Sequence, residues 1–154
     1  MKILLRKNSN GEQEINWTCL KEKCPENCCG FFRDRLPDYR SVKGIHHDEI
    51  FILPDEIGNV PHGVLSRRKK DYYLKLKKDR SCPLFDAGKC KQFEKRPSVC
   101  KAFPFYIDLF TGLNIDVTCP GAGGGWTKVE KIKPLLRALL RCYKKHIKDI
   151  EGEI

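Results

Sequence analysis

The chain has 154 residues, 32% of them charged, and a formal charge of +10, a length that suits one domain with a modest core and is short for two. The opening MKILLRKNSNGEQ holds an apolar run of only three residues, too brief for a secretory leader or a membrane span, so the chain reads as soluble and cytoplasmic. The positive charge would attract nucleic acid, an acidic protein or an anionic membrane surface, but a four-thiolate metal site carries about two net negative charges and would offset part of it.

In chain order, Asn8-Ser9-Asn10-Gly11 separates residues 2–6 from 12–17. Asn-Gly between apolar runs predicts a β-hairpin that delivers Trp17 and Cys19. A cysteine-dense stretch follows, then a polar one at 33–43. Residues 49–53 form a short apolar strand, and Pro54 with Asp55 and Glu56 suits the first turn of a helix kept brief by Gly58 and Pro61. From Tyr72 to Lys78 apolar and basic residues alternate with period two, as in a half-exposed strand. Residues 106–109 and 113–117 flank Thr111-Gly112 as a second hairpin. A helix spans 127–150, with Thr127 and Glu130 as a capping box. Its apolar face is Ile132, Leu135, Leu136, Leu139, Leu140, Tyr143 and Ile147, and Pro134 is expected to bend or restart it. Strand pairs with one or two packed helices make an α+β fold, a single domain over 1–154 with its motif region at 17–125.

The nine cysteines stand at 19, 24, 28, 29, 82, 90, 100, 119 and 142. In a chain without an export signal they point to metal ligation, because reducing compartments keep thiols reduced. If Pro25 opens a helical turn ending at Gly30, Cys24 and Cys28 share one face and can serve one metal or cluster. Cys29 then points about 100° away and belongs to a second environment or to none. Asp86-Ala87-Gly88 supplies a turn that folds Cys82 toward Cys90. Arg96-Pro97 and Phe103-Pro104-Phe105 stiffen the backbone around Cys100, and Phe93, Val99, Phe103 and Phe105 would wall a site from water. Glycine after Cys119 would let backbone N–H groups approach its sulfur. Cys142, among the leucines of the final helix, reads as a small buried hydrophobe. The candidate metal ligands are therefore Cys19, Cys24, Cys28, Cys29, Cys82, Cys90, Cys100 and Cys119.

Trp17 two residues before Cys19, the closing Cys28-Cys29-Gly30, the run CPLFDAGKCKQFEKRPSVCKAFPF at 82–105 and Cys119-Pro120-Gly121 together resemble the YkgJ-like cysteine-cluster family named for a CxxCxxCC motif. The likeness covers most of the chain, residues 17–125. The first cluster departs from the family pattern, being C-x4-C-x3-CC in place of C-x2-C-x2-CC. The resemblance implies zinc or iron chelation by these cysteines. Larger and more distant relatives, the flagellin lysine-N-methylases, look like they use an iron-sulfur cluster in methyl transfer. This chain is much shorter than those enzymes.

Thiolate donors suit both zinc and iron-sulfur clusters. Structural zinc usually takes close cysteine pairs with roughly two to four intervening residues. After Cys82 the intervals are seven, nine and eighteen residues, which favours a [4Fe-4S]-type cluster with zinc as the alternative. Its role would be structural, redox or metal delivery. A second hypothesis is an iron-sulfur-dependent, protein lysine N-methyltransferase-like enzyme, or its partner, acting on a protein substrate. A third is a zinc-stabilised nucleic-acid binder using Arg67, Arg68, Lys69 and Lys70 and the basic face of the last helix. A charge run without stacking aromatics is ordinarily a solvated face, which weighs against the third. Residues 117–125 resemble a dinucleotide or S-adenosylmethionine glycine loop, but no second parallel strand follows. His46-His47-Asp48 reads as a solvated turn. No Ser-His-Asp grouping, paired-carboxylate motif or P-loop occurs, so no catalytic residue is assigned.

Overall fold

A computed structural model describes residues 1–20, 49–78, 82–86, 89–108, 110–117 and 119–153. In chain order the described strands are β1 (Leu5–Lys7), β2 (Gln13–Trp17), β3 (Glu49–Ile52), β4 (Leu65–Arg68), β5 (Asp71–Lys75), β6 (Phe85–Asp86), β7 (Lys89–Cys90), β8 (Phe105–Asp108), β9 (Gly112–Ile115) and β10 (Ala122–Lys128). The described α-helices are α1 (Ser98–Ala102) and α2 (Val129–Glu153). Small antiparallel sheets with a long C-terminal helix make the α+β fold that the sequence predicts. The chain divides into two compact units, one from Met1–Pro25 with Cys100–Ile154 and the other from Glu26–Val99.

In the first unit β1, β2 and β10 form an antiparallel sheet in that order. The β1–β2 turn refines the Asn-Gly expectation. The Gly11 N–H returns to the Asn8 carbonyl at 3.0 Å, so Ser9 and Asn10 are its centre, and Gly11 follows with φ +76°. This is the three-residue hairpin loop, in which the residue after the turn must be left-handed and glycine adopts that conformation without strain. Asn8 Oδ1 accepts the backbone N–H groups of Asn10 and Glu12, both at 2.9 Å. Lys128, at the far end of β10, closes on Glu12 at 2.7 Å. The β8–β9 hairpin is also where the alternation places it. There Asp108 Oδ1 accepts the N–H groups of Phe110 at 2.8 Å and Thr111 at 2.9 Å. These bonds, the Thr111 N–H first, hold the Asp108 carboxyl below the usual range.

Helix α2 packs on this framework, and the core of the unit is Ile15, Trp17, Ala102, Phe105, Ile115, Ile132 and Leu139. Three details of the helix differ from expectation. Thr127 does not cap it, because that residue is paired within β10, one place before the strand's last residue, and its hydroxyl shares a 3.0 Å hydrogen bond with the Thr18 hydroxyl. Pro134 does not restart the helix, which continues through it to Glu153. Leu140 is 49% exposed. At 100° per residue it lies on the side of Leu139 away from buried Ala138, so the buried stripe turns away from it.

In the second unit the antiparallel sheet has the order β3-β5-β4. Ile50, Ile52 and Leu74 are buried at alternate positions, Ile50 opposite Leu74. Pro54–Asn59 forms a short 3₁₀ helix, as brief as Gly58 and Pro61 require. The basic run is solvent-exposed throughout, as a solvated face is. Arg67 and Arg68 end β4, and Lys69, with φ +53°, lies in the turn to β5. The two guanidinium groups stand over the rings of Tyr72 at 5.4 Å and Tyr73 at 4.9 Å, so aromatics do accompany it.

Candidate metal centre

The sequence around Cys119 folds as two successive turns. The Ala122 N–H closes on the Cys119 carbonyl at 3.0 Å, with Pro120 at the second position, where its fixed φ suits a turn. The Gly124 N–H then closes on the Gly121 carbonyl at 3.1 Å, with Gly123 at φ +72°. Between Ala122, paired with Trp17, and Thr127, paired with Ile15, the register shifts, so β10 bulges where the glycines fall.

Those glycines have a steric reason. A Cβ on Gly121 would collide with the Thr18 carbonyl oxygen and sit 3.3 Å from Trp17 Nε1; one on Gly125 would come within 2.9 Å of Thr18 Oγ1. Bare backbone at these positions admits Thr18, whose N–H donates to the Gly121 carbonyl at 3.2 Å. The Cys119 turn is thereby held against the chain immediately before Cys19. Trp17 Nε1–H donates to Cys119 Sγ at 3.4 Å, across 102 residues of sequence. The indole is buried and packs edge-on against Phe105, centroids 5.1 Å apart. Cys19 itself is exposed.

Cys100 lies on α1, three residues before Phe103 and five before Phe105. The start of α1 is fixed by Glu56, a buried carboxylate whose Oε2 accepts the Ser98 N–H at 2.7 Å and the Ser98 hydroxyl at 3.2 Å. An acid here satisfies an N–H that has no partner within the helix. Neither Trp17 as a donor to sulfur nor Glu56 as the acceptor at α1 follows from the sequence. No local signal marks contacts 102 and 42 residues apart.

Cys82 is buried beside Leu84. Strands β6 and β7 pair Phe85 with Cys90, and the Lys91 N–H reaches the Leu84 carbonyl at 2.7 Å. The chain thus returns Cys90 beside the segment that follows Cys82, as the Asp86-Ala87-Gly88 turn predicts. Phe93 does not wall a site: it is 57% exposed, and the Arg96 guanidinium covers its ring at 4.1 Å. Phe105, by contrast, is buried against Trp17. Cys142 is half-buried on α2.

Cys24, Cys28 and Cys29, the turn expected at Pro25, and His46-His47-Asp48 lie outside the described residues. Among the described residues no group of three or more Cys, His, Asp or Glu converges on one point to hold an ion. The candidate donors that are described, Cys19, Cys82, Cys90, Cys100 and Cys119, are all thiols. Soft sulfur donors fit zinc or an iron-sulfur cluster and are unsuited to magnesium or calcium.

No curated protein matches the chain, and no solved structure does. Residues 18–120 match the CxxCxxCC family, whose description is "Putative zinc- or iron-chelating domain". The match runs from Thr18, against which the Cys119 turn packs, to Pro120 within that turn, and the description supports metal binding. Since it covers well over half of the chain, the protein belongs to the CxxCxxCC family.

Proposed function

We propose that residues 1–154 act as one metal-binding domain that holds a [4Fe-4S]-type cluster through cysteine thiolates, zinc being the alternative, in a structural, redox or metal-delivery role. The ligands are drawn from Cys19, Cys24, Cys28, Cys29, Cys82, Cys90, Cys100 and Cys119. The observation that carries this reading is the seating of the Cys119 turn on Thr18, next to Cys19, with the Trp17 N–H on the Cys119 sulfur. A thiol-rich donor set and the wide intervals after Cys82 favour a cluster over a zinc knuckle. Thiols persist in a reducing compartment, so a cytoplasmic location suits it. No helix among the described residues is long and apolar enough to cross a membrane.

Anaerobic purification, visible absorption and metal analysis test the reading. Brown protein with stoichiometric iron and sulfide is expected. Colourless protein with stoichiometric zinc would replace the cluster by the alternative metal.

A second reading, a zinc-stabilised nucleic-acid binder, is favoured by the Arg67 and Arg68 guanidiniums stacked beside Lys69 and Lys70. Salt-sensitive RNA or DNA binding that weakens when the four basic residues are neutralised would support it. Binding that is unchanged by that neutralisation would discard it.

A further inference from the structure

We infer that Trp17 is a positioning residue that tunes the metal centre, its indole N–H being a fixed hydrogen-bond donor to the Cys119 sulfur. This rests on the proposed chelation and assigns a regulator of the same site. The geometry is specific. Trp17 is 7% exposed, its ring is held edge-on by Phe105, and Nε1 lies 3.4 Å from Cys119 Sγ. Gly121 keeps that space open, since a Cβ there would stand 3.3 Å from Nε1.

The indole nitrogen is a donor only, and a buried tryptophan N–H requires an acceptor. A neutral thiol is a weak acceptor, whereas a thiolate carries negative charge and accepts strongly. This buried donor is therefore best satisfied when Cys119 is the anionic, ligating form. The bond in turn draws charge from the sulfur. In a cluster that stabilises the more negative, reduced state and raises the reduction potential. In a zinc site it stabilises the ligating thiolate and so retains the metal.

The test replaces Trp17 site-specifically with β-(3-benzothienyl)alanine, which keeps the bicyclic shape and puts sulfur where the N–H was. A companion variant carries 5-fluorotryptophan at the same position, a stronger N–H donor of nearly the same size. Both proteins and the wild type are reconstituted anaerobically with ferrous iron and sulfide, and separately with zinc. The midpoint potential and the zinc affinity against a chromophoric chelator are then measured. The melting temperature of the metal-free proteins serves as the fold control.

The inference predicts a more negative potential, or zinc affinity lower by about tenfold or more, for the benzothienyl protein. The fluorinated protein should shift the opposite way. Potentials and affinities unchanged in both variants, or moved in the reverse sense, would overturn the role of Trp17 and leave chelation standing. Wild-type protein that retains neither iron nor zinc would overturn chelation and this role with it.

Discussion

Replacing Glu56 by alanine removes the acceptor that fixes the start of α1, the helix bearing Cys100. The Ser98 N–H bond to the carboxylate is 2.7 Å and the hydroxyl bond 3.2 Å, with both residues buried. A hydrogen bond to a charged group contributes about 1.5–3 kcal/mol, and the weaker hydroxyl bond about 1 kcal/mol more. The other carboxylate oxygen, Oε1, is buried with no partner among the described residues, so its removal offsets about 1 kcal/mol. The net expectation for Glu56→Ala is a loss of about 1.5–3 kcal/mol, a large share of the roughly 5–15 kcal/mol that stabilises a domain. Glu56→Gln keeps an oxygen that can accept the Ser98 N–H and should lose about half as much. Urea unfolding and hydrogen exchange of the Ser98 amide read both effects. A Glu56→Ala cost under about 0.5 kcal/mol, the scale of an ordinary surface substitution, with unchanged Ser98 exchange, would refute this view of Glu56.

Gly121→Ala should destabilise the protein by about 1–3 kcal/mol or more, because its Cβ meets backbone at Thr18 that cannot yield like a flexible side chain. Tryptophan fluorescence should report displacement of Trp17, and a native spectrum with native stability would contradict the packing. The Glu12–Lys128 pair makes a pH prediction at the edge of the first sheet. The hydrogen bond from Lys128, then that from Asn8, lowers the Glu12 carboxyl, and Glu12 raises the Lys128 ammonium. A lowered acid stabilises above its ordinary value of 4.5 and is lost as pH falls through its folded value. A raised ammonium stabilises fully below 10.5 and is lost as pH rises through its folded value. The pair should therefore hold between these limits. Lys128→Met should return the Glu12 titration toward 4.5 in an NMR pH series, and an unmoved titration would rule the pairing out in solution. Metal removal should lower the melting temperature, since ligand sets that close on metal couple binding to folding; equal melting with and without metal would dissociate the two.

The parts of the fold that are legible in the sequence are those set by local chemistry. Asn8 to Gly11, the alternation at 72–76 and 113–117, and the apolar stripe through Ile132 and Leu139 each specify their element within a few residues. Strand β10 is not legible. Three consecutive glycines disfavour a strand, and the steric reason for the last of them is remote: Thr18, more than a hundred residues earlier, takes the space that a Cβ on Gly125 would fill, as it does at Gly121 just before the strand. Strand β4 is hidden for a related reason: Arg67 and Arg68 read as a charge run until β5 pairs with them and places the Tyr72 and Tyr73 rings beneath their guanidinium groups, Tyr72 opposite Arg67 and Tyr73 opposite Ser66. Thr127 next to a helix reads as a cap, yet it lies in β10 and its hydroxyl is bonded to the Thr18 hydroxyl, just past the end of β2. At the candidate centre, the return of Cys90 beside the segment after Cys82 is legible in the Asp86-Ala87-Gly88 sequence, although Ala87 and Gly88 themselves lie outside the described residues. The Trp17–Cys119 and Glu56–Ser98 contacts depend on tertiary closure and carry no local signature.

The most direct test of metal chelation by cysteine thiolates is to measure iron, zinc and sulfide in anaerobically purified protein, beside the variants Cys19→Ser, Cys100→Ser and Cys119→Ser. Stoichiometric metal in the wild type, accompanied by inorganic sulfide and visible absorption for the cluster and depleted in the serine variants, is the predicted result. Wild-type protein that folds with neither iron nor zinc bound would contradict it.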